Sequence, residues 1–199
     1  MARNALEIYG AVLERVLVGS QATDLSGATV ATDRALEQLR RWIGSLDGGR
    51  MFFVGNGGSA ATASHLAIDY QKNGGIPAFC LSDGAALTCF GNDLGFDHVY
   101  AAPLKAHARP GDLLVAISSS GRSADILNGV QAARERGAKV ITFSGFTPDN
   151  PLRGMGELNF YVASRLYGYV EIAHLAICHA VLDLHMGLAI DEKVGADRA

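Results

Sequence analysis

The chain has 199 residues, 49% of them hydrophobic, which is enough for one folded domain with a sizeable core. Its formal net charge of -3 argues against the basic surface of proteins that bind nucleic acid or acidic membranes. Its three cysteines lack CxxC spacing, and we find neither a secretory signal nor a membrane span, so we expect a cytoplasmic protein with reduced thiols.

Two helices are predicted in the first 47 residues. Residues 3–18 carry an apolar stripe that is wide enough to pack against another subunit. After a polar break over 19–27, a second helix is expected at about 29–46, where glycines then act as a C-cap. We therefore expect residues 1–47 to form a helical hairpin used in oligomerisation, followed by an α/β core over 48–199.

The sequence pattern changes from residue 50 onward, because short β-rich apolar runs alternate there with helical segments. This alternation is typical of a parallel sheet with crossover helices. Strands are predicted at 51–55, 76–82, 112–118, 138–144 and 158–162, and helices at 58–72, 84–91, 97–107, 123–136 and 168–188. The whole chain is thus predicted to be a single domain with a three-layer α/β/α fold and a five-stranded parallel sheet.

The segment from Met51 to Tyr70 predicts a strand, a glycine-rich turn and a helix. Glycines let the backbone approach a ligand closely, and the unpaired N–H groups at the start of a helix attract an anion. One turn further on, His65 and Asp69 project from the same helix face. The segment therefore predicts an anion site with reactive side chains beside it.

A second turn, after the strand at 112–118, carries four serines, at Ser118, Ser119, Ser120 and Ser123. Their hydroxyls, with backbone N–H groups of the next helix, offer donors to the oxygens of a phosphate. A plain N-cap at Ser123 is the simpler alternative. The spacing Gly55-x-Gly57-x-x-Ala60 alone also allows a dinucleotide site, but such a site has no use for these hydroxyls. The two turns together favour a phosphate site.

Two imidazoles and two carboxylates form a plausible zinc shell, with His65 and Asp69 on one helix and Glu171 and His179 on another. These residues also have structural interpretations that involve no metal, since Asp69 could be only the hydrogen-bond partner of His65. A functional role is harder to dismiss for Glu171. Burying a carboxylate in so apolar a helix costs free energy unless the carboxylate is paired or bound to metal.

Three motifs together resemble the SIS (sugar isomerase) domain family and, more narrowly, the phosphoheptose isomerases. They are Gly55-Asn56-Gly57-Gly58-Ser59 followed by His65, Gly91-Asn92-Asp93, and Ile117-Ser118-Ser119-Ser120-Gly121-Arg122-Ser123. The resemblance covers essentially the whole chain. It implies a flavodoxin-like sheet, a homotetramer with active sites at subunit interfaces, and an aldose–ketose isomerase that converts sedoheptulose 7-phosphate through a metal-assisted enediol mechanism.

The resemblance also implies roles for individual residues. It makes the four serines phosphate ligands and places further substrate contacts at Asn56, Gly57, Gly58, Ser59 and Asp93. It makes His65, Asp69, Glu171 and His179 the zinc ligands, with Asp69 as the base and His179 as the group that transfers protons. Asp69 stands where the family has a glutamate, and Glu171 stands where it has a glutamine.

Two other functions are weighed against this expectation. A non-catalytic SIS module, of the type found in replication-initiation regulators, would bind a phosphosugar or a protein partner. The presence of His65, Glu171 and His179 argues against it, because a regulator has no need of a zinc site. A dinucleotide-dependent oxidoreductase is the least favoured of the three functions.

Overall fold

The computed structural model describes residues 4–188. Its strands are β1 (Gln21–Asp24), β2 (Thr29–Val30), β3 (Met51–Gly55), β4 (Ala78–Cys80), β5 (Leu113–Ser118), β6 (Lys139–Ser144) and β7 (Leu158–Tyr161). Its helices are α1 (Ala5–Val18), α2 (Thr32–Gly44), α3 (Gly58–Lys72), α4 (Gly84–Leu94), α5 (Ala101–His107), α6 (Ala124–Glu135) and α7 (Tyr167–His185). Short 3₁₀ turns occur at Phe96–His98 and Pro151–Gly154.

The strands form one sheet in the order β2-β1-β7-β6-β5-β3-β4. Strands β3 to β7 are parallel, which confirms the predicted five parallel strands. Counted by themselves, these five have the order 2-1-3-4-5, which is flavodoxin-like and reverses between β3 and β5. A ligand is expected at the carboxyl ends of these two strands, because the crevice of an open α/β sheet lies where the order reverses.

The sheet has seven strands rather than five, because β1 pairs antiparallel with β7 and β2 pairs antiparallel with β1. The expected polar break at 19–27 therefore contains a strand, and the second helix begins at Thr32 rather than near 29. The sequence Gln-Ala-Thr-Asp of β1 has little strand propensity of its own. Its conformation is set by pairing with the edge of β7, a tertiary effect that local sequence does not encode.

Both faces of the parallel strands are buried, which gives the three predicted layers. Met51 and Phe53 face a core shared with α2, α3 and α7, and the alternate residues Phe52 and Val54 face a second core shared with α5 and α6. Successive side chains of a strand point to opposite faces, so a strand with helices on both sides is apolar throughout.

The amino ends of β3 and β5 are joined by Asp112, whose side chain is fully buried. Its carboxylate accepts hydrogen bonds from the backbone N–H groups of Arg50 and Arg109 at 2.9 and 3.0 Å, and pairs with the Arg50 guanidinium at 3.0 Å. This buried acid is therefore fully partnered.

Helix α1 lies on the outside of the molecule and contacts α7, where the rings of Tyr9 and Tyr169 lie 4.5 Å apart. None of its side chains is buried, and Leu6 and Val18 remain 78% and 80% exposed. The use of this face in oligomerisation stays a prediction. Of the helices described, none combines the length and hydropathy needed to cross a membrane.

Candidate active site

A cavity of about 320 Å³ opens at the carboxyl ends of β3 and β5, where the strand order reverses. Its walls come from the turn after β3, the turn after β5 and the start of α7. They comprise Asn56, Gly57, Gly58, Ser59, Ser118, Ser119, Ser120, Ser123, Tyr167 and Glu171. The cavity thus brings together every residue predicted to contact substrate except Asp93.

The glycine turn, residues 56–59, brings bare backbone to one wall of the cavity. Gly57 has φ +55°, a left-handed conformation that side chains other than glycine rarely adopt. A Cβ atom on Gly58 would overlap the carboxylate of Glu171. The turn therefore requires glycine at Gly57, whereas a larger residue at Gly58 would displace the Glu171 carboxylate, and the start of α3 lies directly against the cavity.

The serine turn, residues 118–123, forms the opposite wall. The Ser118 carbonyl accepts a hydrogen bond from the Gly121 N–H at 2.9 Å, and the Ser120 Oγ accepts one from the Arg122 N–H at 3.2 Å. The Oγ atoms of Ser118 and Ser123 lie 3.4 Å apart. These contacts close the turn and gather the hydroxyls beside the cavity.

Three helices, α3, α6 and α7, begin at the cavity without a side-chain cap. Their N-cap residues, Gly57, Ser123 and Leu166, make no capping hydrogen bond. Helices α2 and α5 also lack a side-chain cap, whereas Asn4 and Asp83 cap α1 and α4. Ser123 occupies the N-cap position of α6 but does not cap, so the plain N-cap interpretation fails. Uncapped N–H groups and the positive ends of helix dipoles favour an anion in the cavity.

An anion in this cavity would be held by uncharged groups, because no Lys or Arg side chain is among the residues that line it in the described chain. Arg122 belongs to the serine turn, but its guanidinium lies 3.3 Å from Asp149 and is half-exposed. The cavity does contain one acid, Glu171. A phosphate there would rely on hydroxyls, backbone N–H groups and helix dipoles.

A second group of side chains, the His65–Asp69–His179 cluster, lies between α3 and α7. The two Nε2 atoms are 3.2 Å apart, and Asp69 Oδ2 lies 3.3 Å from His65 Nε2 and 3.9 Å from His179 Nε2. Ligand atoms around a tetrahedral zinc, with bonds of about 2.0–2.1 Å, lie about 3.3 Å apart. The cluster therefore fits three zinc ligands, and the His–His spacing also fits an N–H···N hydrogen bond.

Two predicted site residues lie apart from this cluster. The carboxylate of Glu171 faces Gly58 in the cavity and is not among the ligand atoms that converge within 4.8 Å. Eight residues of helix separate it from His179, a rise of about 12 Å. Asp93 is exposed near the end of α4 and hydrogen-bonds Asn92, so it lies outside the cavity lining within one chain.

Hydrogen bonds from neighbouring polar residues hold the glycine turn in place. The Asn56 side chain donates from Nδ2 to Asp125 Oδ1 at 3.0 Å, and the Tyr100 hydroxyl donates to the Gly55 carbonyl at 2.5 Å. Burial raises the pKa of Tyr100 to about 12. Burial also raises the pKa of Asp125, although the hydrogen bond from Asn56 opposes that shift.

Sequence reasoning missed two of these residues, Asp125 and Tyr167. An acid in the first turn of a helix is unremarkable in a sequence, since it complements the helix dipole. Tyr167 lines the cavity and packs edge-on against Phe146, with ring centroids 4.9 Å apart. The sequence did offer one indication of this role for Tyr167. It precedes Glu171 by one helical turn, which places both side chains on one face.

Comparison with known proteins gives consistent matches. Residues 43–145 match the SIS domain family. A phosphoheptose isomerase of Chlorobium phaeovibrioides is 42% identical over 187 residues, covering 87% of this chain and 85% of its own. A phosphoheptose isomerase of Bradyrhizobium sp. (strain ORS 278) is 45% identical over 151 residues, covering 71% of this chain and 74% of its own.

Solved structures agree with these relatives. The phosphoheptose isomerase of Neisseria gonorrhoeae superposes with a TM-score of 0.77 at 29% identity, covering 90% of this chain and 97% of its own. The phosphoheptose isomerase of Francisella tularensis gives a TM-score of 0.76 at 25% identity, with coverages of 92% and 98%. The matches extend over the glycine turn, the serine turn and the sheet between them, and the chain therefore belongs to the SIS domain family.

Proposed function

We propose that this protein is a sugar-phosphate aldose–ketose isomerase that converts sedoheptulose 7-phosphate to D-glycero-D-manno-heptose 7-phosphate. The observation that carries the proposal is the cavity between the glycine and serine turns, at which three uncapped helices begin. The names of the relatives, phosphoheptose isomerase, support the choice of substrate.

The phosphate group of the substrate is assigned to the serine turn. The donors gathered there are the first N–H groups of α6 and the hydroxyls of Ser118, Ser119, Ser120 and Ser123. Among them, the buried Ser119 Oγ has no hydrogen-bond partner within the described part of the chain. The sugar then extends along the glycine turn, where Asn56 and Ser59 line the cavity. Charge-assisted hydrogen bonds to the phosphate anchor the substrate while its other end reacts.

The isomerisation needs a base and a group that moves a proton between neighbouring oxygens. We assign Asp69 as the base that takes the proton from the carbon next to the carbonyl, since it is the carboxylate of the cluster and is partly exposed. His179 then moves a hydroxyl proton between the two oxygens of the enediol, and Asp69 returns the carbon-bound proton to the former carbonyl carbon, which completes the isomerisation. Both side chains are partly exposed, as a group that meets substrate must be.

The His65–Asp69–His179 cluster is assigned as a zinc site on the basis of its ligand spacing and its N, N, O donor set. When bound, zinc would supply Lewis-acid polarisation of the sugar oxygens. Three protein ligands leave a position open, which is the pattern of catalytic zinc sites. We place Glu171 at the cavity wall instead, because its carboxylate faces Gly58.

A homotetramer is proposed as the working form. The support is the exposure of apolar side chains all along α1, including Leu6, Ile8 and Val18. Exposed apolar surface of this kind often marks a subunit contact. Light scattering on purified protein measures the oligomeric state directly.

A coupled isomerisation assay tests the function. We expect turnover of sedoheptulose 7-phosphate, weaker turnover of five- and six-carbon ketose phosphates, loss of activity with a chelator and recovery with zinc. Stoichiometric binding of these sugars without any turnover would instead indicate a phosphosugar-binding regulator.

A further inference from the structure

Asp125 is a buried acid that connects the two turns of the cavity. It lies in the first turn of α6, directly after the serine turn, and is 3% exposed. Its Oδ1 accepts the hydrogen bond from Asn56 in the glycine turn, 69 residues away in sequence. Its Oδ2 is buried and makes no hydrogen bond within the described part of the chain.

This arrangement is unfavourable for stability. A buried carboxylate with an oxygen left without a donor carries a desolvation penalty that a neutral side chain avoids. Burial raises the pKa of this carboxyl, which reflects the same penalty. The contrast with Asp112 is direct, because that buried carboxylate accepts from Arg50 and Arg109 and so has partners for both oxygens.

A carboxylate determines the orientation of the asparagine amide that it contacts. An ionised carboxylate only accepts hydrogen bonds, so Asn56 must turn its NH₂ group, rather than its carbonyl, toward Asp125. The amide oxygen then faces the Tyr100 hydroxyl, 3.4 Å away. A neutral amide at position 125 would accept or donate and would leave both orientations of Asn56 open.

We propose that Asp125 is a positioning residue that fixes the Asn56 amide so that its second Nδ2–H is offered to an acceptor oxygen of the bound sugar phosphate. The ligand oxygen that meets Asn56 is thus a carbonyl or other acceptor rather than a donor. The inference rests on the proposed function, because it assigns Asn56 to the substrate wall of that cavity.

Asp125→Asn tests the inference with almost no change in shape. Removing the charge relieves its desolvation penalty but also removes a favourable charge near the N-terminus of α6, so the unfolding midpoint should change little. We expect kcat/KM to fall about 10- to 100-fold, the loss expected for a strong hydrogen bond. Asp112→Asn is the matched control. It removes a fully partnered buried acid at the opposite end of β5, so its midpoint falls while kcat/KM stays within about twofold of wild type.

A double-mutant cycle with Asn56→Ala shows whether Asp125 acts through Asn56. We expect Asp125→Asn to have no further effect on kcat/KM once Asn56 is removed, because the group that it positions is gone. Additive losses in the double variant, or a wild-type kcat/KM for Asp125→Asn, would overturn the inference.

The same cycle separates this inference from the proposed function. If wild-type protein binds sedoheptulose 7-phosphate without converting it, the isomerase function fails, and the cycle is measured on the dissociation constant by calorimetry, with the same non-additivity expected. If wild-type protein turns over the sugar and the Asp125→Asn variant matches it, only the positioning role fails.

Discussion

The cavity and the His65–Asp69–His179 cluster are neighbours on the same helices, but they are built differently. The cavity lies at strand ends, and its turns are closed by backbone hydrogen bonds such as that from the Gly121 N–H to the Ser118 carbonyl. The cluster lies on helix faces, where the side chains of His65, Asp69 and His179 are 52%, 21% and 35% exposed and contact one another.

We expect this difference to separate substrate binding in the cavity from the chemical step at the cluster. The cavity is formed by the backbone before a ligand arrives, so its loss should weaken substrate binding. Within the described residues, the polar contacts of the three side chains are with one another, so we expect their geometry to depend on a group bound between them. We therefore expect changes in the cavity to alter KM and changes in the cluster to alter kcat.

The largest effect is expected from His179→Ala. It removes one proposed zinc ligand and the proposed proton carrier, so kcat should fall about 1,000-fold while the affinity for sugar phosphate, measured by calorimetry, stays within about threefold. Bound zinc, measured by metal analysis, should fall as well.

His185→Ala is the control for that experiment, because it makes the same change in the last turn of α7, outside both the cavity and the cluster. It should retain wild-type kcat. A His179→Ala variant that keeps full turnover would remove the distinction between the two regions.

A second expectation concerns His174, which connects α7 to the sheet by a hydrogen bond. Helix α7 carries residues of both the cavity and the cluster. It is fully buried, and its ring Nε2 donates to the carbonyl of Ser144 at the end of β6 at 3.0 Å. Burial lowers the pKa of His174 to about 4, so the folded protein binds its proton less readily than the unfolded chain. Stability should be full above about pH 6.5 and fall by about 3 kcal/mol as pH drops toward 4.

His174→Gln, which keeps a donor for Ser144 but does not titrate, should flatten this acid dependence of the unfolding midpoint. The same change at exposed His107 serves as the control and should leave the dependence unaltered. An unchanged acid dependence in His174→Gln would place the sensitive group elsewhere.

The smallest effect is expected from Ser123→Ala in the cavity. Its hydroxyl does not cap α6, so stability should change little, whereas KM should rise about tenfold with kcat nearly constant, since a phosphate hydrogen bond is lost. Asp83→Ala is the opposite case. Asp83 caps α4 through the Ala86 N–H, so its loss should cost about 1 kcal/mol of stability and leave KM unchanged.

Those two variants together test whether the N-terminus of α6 is a ligand site rather than an ordinary capped helix. A stability loss without a change in KM in Ser123→Ala would contradict the assignment of the cavity to phosphate.

Much of the fold was predictable because it depends on local pattern. Apolar runs such as Met51–Gly55 and Leu113–Ser118, each followed by a turn and a helix, predict parallel strands directly. Strand β1 was not predictable, because Gln21–Asp24 becomes a strand only by pairing with β7.

The parallel α/β core, the two turns and the helical spacing of His65 and Asp69 can be predicted from local sequence, because each follows from periodicity or from glycine and serine at fixed positions. The tertiary fold supplied the remaining features of the site. It brought His179 to that pair, left Glu171 in the cavity, and set Asp125 against Asn56 across 69 residues. Contacts between distant segments depend on how helices pack on the sheet, which one-dimensional patterns do not contain.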